Sequence, residues 1–136
     1  MQLHNDDIRK MAYYDTLTGL PNRWSFKTNL ERLLSRAEKV NQRVGLLYID
    51  LDNFKQVNDQ YGHETGDRLL RKFSERLDEV IRPTDQMFTQ QTESLARLAG
   101  DEFIVLLPNI KDALDASSVA SRVLGIFEGG FEVDNI

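Results

Sequence analysis

A chain of 136 residues with 40% hydrophobic and 29% charged side chains supports one compact domain around a single core. It has no cysteine, which excludes disulfides and thiolate metal sites, leaves oxygen or histidine to hold any metal, and fits a reducing cytoplasm. The formal charge of −5 speaks against nucleic acid as a partner, and no apolar run approaches the ~18 residues of a membrane span. An anionic nucleotide is still compatible with that charge, because a cation can bridge carboxylates to phosphates.

The lead-in segment, residues 1–14, reads as a short helix over 5–13 that stops at Asp15-Thr-Leu-Thr-Gly-Leu-Pro-Asn22, where Gly19 and Pro21 oppose continuation. Phe26, Leu30, Leu33, Leu34 and Ala37 then recur at helical spacing, predicting a helix from Trp24 to Val40 with that face buried. The nearly continuous apolar run 44–51 predicts a central strand covered on both faces. A polar stretch with Asn58, Tyr61, Gly62 and His63 leads to a helix over 65–82, its inward stripe Leu69, Leu70, Phe73, Leu77, Val80 and Ile81, ended by Pro83. Residues 94–98 and 103–107 read as a hairpin around Ala99-Gly100-Asp101-Glu102, with Gly100 at positive φ and Pro108 closing the second strand. A third long helix is predicted over 112–127, with Leu114, Val119, Val123, Leu124 and Phe127 inward, and Phe131 to Ile136 would open a further strand. Leu17, Phe26 and Phe103 read as core, and Trp24 as core or a partly exposed anchor. The alternation predicts an α/β fold, an α+β sandwich with a mainly antiparallel sheet flanked by helices.

The chemistry concentrates in acids at the ends of apolar strands. Asp50 and Asp52, at i and i+2, would leave one face at the strand's end, and Asp101 and Glu102 occupy the hairpin tip. Pairing of the hairpin beside the 44–51 strand would bring these acids together, where like charges need a cation; Mg²⁺, a hard ion that leaves positions for phosphate, is the expected one, with Mn²⁺ as the substitute. Each piece alone reads as an ordinary turn. Asn58, Asp59 and His63 likewise read as caps of the helix near Thr65, and Asp67 as a charge favoured at its N-terminal end.

Taken in order, Asp15-x-Leu-Thr-Gly-Leu-Pro-Asn-Arg23, Tyr48-Ile-Asp-Leu-Asp-x-Phe-Lys55, Asn58-Asp59 with Tyr61-Gly62-His63 and Gly66-Asp67, and Arg97-Leu-Ala-Gly-Asp-Glu-Phe103 resemble the GGDEF diguanylate cyclases. The resemblance implies a fold like nucleotidyl-cyclase and polymerase-palm domains, and condensation of two GTP molecules into cyclic di-GMP with release of pyrophosphate. It implies metal ligation by Asp50, the Leu51 carbonyl, Asp101 and Glu102, with Asp101 and Glu102 as the catalytic acids. Asn58 and Asp67 would read guanine, His63 would contact the nucleotide, and Asn53, Phe54, Lys55 and Gly100 would border the triphosphate. Asp15 and Arg23 would tie the domain entrance. The implied partners are a second copy of the domain, an upstream sensory module and a downstream phosphodiesterase domain, with the chain cytoplasmic or the cytoplasmic part of a membrane-bound protein.

Three departures qualify this. Ala99 stands at the signature's leading glycine; a methyl there is tolerated where φ is negative. Arg82-Pro-Thr-Asp85 has the spelling of the family's inhibitory product site, but about eight extra residues, within 86–94, separate it from the hairpin, and Gln90 and Glu93 stand at the customary spacing. The domain, residues 15–136, would lack the family's last strands and helix. A GTP-binding regulatory domain with weak or no turnover, and a dimerising adaptor with merely solvated acids, are the competing functions.

Overall fold

The computed structural model describes residues 8, 11–81, 95–110, 113–127, 130, 131 and 133. Ile8 and residues 11–13 are helical, and Tyr14 bridges to Pro21 across a tight turn. Helix α1 (Arg23–Val40) starts where the Asn22 side chain accepts from the Ser25 N–H, and it ends at Asn41 in the left-handed region. Strand β1 (Arg43–Asp50), helix α2 (Phe54–Tyr61) and helix α3 (His63–Ile81) follow. The hairpin of β2 (Leu95–Ala99) and β3 (Glu102–Ile110), then helix α4 (Ala113–Gly125), complete the order.

The three strands form an antiparallel sheet in the order β1-β3-β2. β3 is therefore the strand with a neighbour on each side, and consecutive Phe103, Ile104, Val105 and Leu106 are all buried. On one face Phe103, Val105 and Leu95 pack with Leu70, Phe73, Leu77 and Ile81 of α3 and with Val123 and Ile126 after them in the chain. Phe73 centres this layer, 5.1 Å edge-on from Phe103 and 5.5 Å stacked on Phe127. Burial of such side chains is the main stabilising term, on the order of 2 kcal/mol each. α1 contacts all three strands.

The structure corrects several expectations. β1 is not the strand covered on both faces: it is at the sheet's edge among the described strands, with Leu46 50% and Tyr48 55% exposed. β3 continues through Pro108 to Ile110, because a register irregularity opposite Arg43 to Gly45 accommodates a residue without an N–H donor. Leu34 faces outward, and the buried residues of α1 are Asn29 and Ala37. In α4 Val123 is buried, Val119 packs on the core and Leu124 is exposed; in the turn just after the helix Ile126 is buried, and Phe127 keeps one face on Phe73 while the rest of its ring is exposed. Helix α2 lies in the stretch read as merely polar. Residues 131 and 133 lie outside any strand. Arg82–Asp85, Gln90, Glu93 and the insertion fall outside the described residues, as does the Leu114 side chain.

Candidate active site

The antiparallel register sets Asp50 directly opposite Glu102, so both side chains leave the same sheet face. The Leu51 N–H donates to the Asp101 carbonyl at 3.2 Å, which pins the end of β1 to the hairpin tip. Gly100 has φ +46°, the left-handed conformation that lets the chain reverse within two residues. Ala99 precedes it outside that region: the only described non-glycine residues at positive φ are Asn41 and Asn53.

Asp50 and Asp101 come within hydrogen-bonding reach of each other, and Asp101 is the main cause that holds the Asp50 carboxyl above its usual range. Lost hydration, Glu102 and, last, Asp52 push the same way. Asp52 stands past the end of β1 rather than beside Asp50 on the strand. Tyr48 shares the face; its ring is more than half exposed, yet lost hydration and a hydrogen bond with Glu102 raise its hydroxyl. Among the described residues no three or more Asp, Glu, His or Cys side chains gather at metal-ligand spacing. A pair of close, unneutralised carboxylates nevertheless suits Mg²⁺, which typically takes one or two carboxylates and completes its shell with water, phosphate or a carbonyl such as that of Leu51.

Next to the acids, Asn53 caps α2 in the left-handed conformation (φ 65°) without using its side chain, while Phe54 is buried beneath and Lys55 is exposed. The first-turn N–H groups of α2 are thus left without a side-chain cap. α2 ends at Gly62, whose φ of 95° allows α3 to begin at the next residue, so the last turn of α2 lies against the first turns of α3. That packing places Asn58 beside Gly66. His63 and Asp67 are exposed on α3.

On the far side of the hairpin, Arg97 explains the entrance loop. Its Nη1 donates to both Asp15 oxygens at 2.9 and 3.0 Å, and its Nε donates to the Gly100 carbonyl at 2.9 Å. Asp15 also accepts from the Thr18 N–H and hydroxyl. Asp15 is therefore held by Arg97, a pairing that local spacing does not reveal because the two lie 82 residues apart. Trp24 is an exposed anchor, 5.1 Å from Tyr13. An apolar cavity of about 280 Å³, lined by Leu51, Phe54, Val57, Tyr61, Leu69 and Phe127 among others, has Asp52 as the one charged residue among its described wall residues and does not resemble a triphosphate site.

This is the palm-like cyclase fold with acids gathered at a strand end. A profile of the family described as "Diguanylate cyclase, GGDEF domain" matches residues 12–135. The chain belongs to that family. It is 38% identical over 132 residues to the diguanylate cyclase DgcP of Escherichia coli, covering 97% of this chain and 36% of that protein. The GGDEF domain of TpbB from Pseudomonas aeruginosa superposes with a TM-score of 0.77 at 32% identity, over 90% of this chain and 67% of that one. The coiled coil and GGDEF domain of DgcB from Caulobacter crescentus, solved with c-di-GMP, gives 0.72 at 30% identity, over 87% and 57%. The chain spans 15% to 36% of the length of the curated relatives it matches first. No described helix is long and apolar enough to cross a membrane.

Proposed function

We propose that this domain is a Mg²⁺-dependent diguanylate cyclase that joins two GTP molecules into cyclic di-GMP and releases pyrophosphate. The observation that carries the reading is the meeting of Asp50 with Asp101 at the junction of β1 and the hairpin tip. The Asp50 and Asp101 carboxylates and the Leu51 carbonyl would hold Mg²⁺, with Glu102 in support; Mn²⁺ would substitute. Bound there, the ion supplies neutralisation of the triphosphate and of charge developing on the leaving pyrophosphate. Asp101 accepts the proton of the attacking ribose 3′-hydroxyl, and Glu102 keeps a second negative group at the same face.

The uncapped N–H groups at Asn53 and Phe54, the Lys55 ammonium and the Gly100 turn hold the triphosphate against the hairpin. Asp67 accepts from the guanine N1–H and N2–H₂ donors, the Asn58 amide completes the base edge, and His63 flanks the nucleotide. Each domain binds one GTP, so turnover needs two copies face to face with two-fold symmetry. An upstream sensory module that sets this geometry, and a phosphodiesterase domain downstream, fit a cytoplasmic signalling protein.

The test is product analysis of the full-length protein with GTP and Mg²⁺. Asp101→Ala is expected to abolish cyclic di-GMP formation with the fold retained by circular dichroism; an unimpaired variant would overturn the assignment. GTP binding without any product from the wild type would return the domain to the regulatory alternative.

A further inference from the structure

Gly66 is buried in the first turns of α3, and its backbone does not require glycine, because its φ lies outside the left-handed region. Glycine inside a helix costs up to about 1 kcal/mol relative to alanine, so its presence calls for another reason. Space supplies one. A Cβ built on Gly66 would stand 1.8 Å from Asn58 Oδ1 and 2.9 Å from its Cγ, far inside any real contact. The same Oδ1 is the buried side-chain atom that has no hydrogen-bond partner among the described residues. The hydrogen that replaces the Cβ in glycine points at this oxygen, a weak C–H···O contact at best.

We infer that Gly66 is the positioning residue of the base site: the absence of a side chain lets the Asn58 amide lie flat on α3 with Oδ1 inward. The planar amide then has its Nδ2 on the other branch, as a fixed donor. A donor there accepts guanine, whose O6 is an acceptor, and disfavours adenine, which carries an amine at that place. The inference rests on the proposed guanine reading and adds to it the device that sets the amide's orientation. A methyl at 66 would force either the amide out of this plane or α2 away from α3.

The experiment is a double-mutant cycle of Gly66→Ala and Asn58→Ala in the full-length protein, read by GTP and ATP binding with Mg²⁺ and by thermal midpoint. Gly66→Ala is expected to weaken GTP roughly 10- to 100-fold, leaving ATP nearly unchanged, so that the GTP-over-ATP preference falls to the Asn58→Ala level. Added to Asn58→Ala, it should change GTP binding by less than about twofold and cost less stability than it does alone, because the clashing amide is gone and the Phe54 ring at 3.3 Å is the close neighbour that remains. A folded Gly66→Ala protein that keeps the wild-type preference, or losses that simply add in the double variant, would overturn the inference. If Gly66→Ala alone does not fold, recovery of the fold in the double variant supports the steric relation, and failure to recover overturns it. A wild type with no preference for GTP over ATP would instead bring down the guanine reading itself.

Discussion

Asp50 is where the site's electrostatics concentrate, since it faces Glu102 across the ladder and meets Asp101 at the turn. Its carboxyl is held above the ordinary 3.8, so the folded chain binds that proton more tightly than the unfolded one. The sign follows directly. Its contribution to stability is full below the unfolded value and is lost as pH rises through the raised folded one. In EDTA the wild-type thermal midpoint is therefore expected to decline across that interval relative to Asp50→Asn, which cannot repel Asp101. With Mg²⁺ restored, the order should reverse, the wild type gaining and the variant not. Equal pH profiles for both proteins would remove the like-charge pair as a feature of the site.

At the scale of elements, the strand-end acids depend on a brace behind them. Arg97 leaves β2 to grip Asp15 with Nη1 and the Gly100 carbonyl with Nε, joining the entrance turn to the hairpin tip. Both side chains of the pair are mostly shielded, 13% and 21% exposed, so the fork is stronger than a surface ion pair. Arg97→Ala is expected to cost about 2 kcal/mol and lower the midpoint by roughly 5–10 °C. A midpoint within about a degree of wild type would show that the tie contributes nothing. The same brace places the lead-in segment one side chain away from the turn that carries Asp101.

At the scale of the molecule, the described strands form a three-stranded sheet with Tyr48, Asp50 and Glu102 sharing one face at its end. The proposed reaction joins two nucleotides held by two such ends, so the productive species is a pair of domains. Specific activity is expected to climb with protein concentration until pairing saturates, measured as initial rates of cyclic di-GMP formation over a dilution series. A specific activity constant across the series, from protein that sediments as a monomer, would sink the two-copy requirement.

Much of this architecture is legible in the order of residues alone. Helical spacing marks α1 and α3, the apolar runs mark β1 and β3, and Gly100 marks the reversal between β2 and β3, because these signals are local and side-chain burial repeats with the backbone's own period. The short α2 escapes that reading: eight residues with only Phe54 turned into the core make too weak a stripe, and its helicity rests on packing against α3. The two apolar strands look alike in sequence, and only hydrogen-bonded order makes β3 central and β1 an edge among the described strands. The same holds for the contacts of Arg97 with Asp15 and of Gly66 with Asn58, whereas the meeting of Asp50 with Asp101 is expected from the sequence once the hairpin pairs beside β1, as it does. Residue types and local spacing determined by themselves which elements exist and which acids were available. Which strand lies inside, whether the acids meet and where a methyl group has no room were decided by tertiary packing, because those are distances through space that no local period encodes.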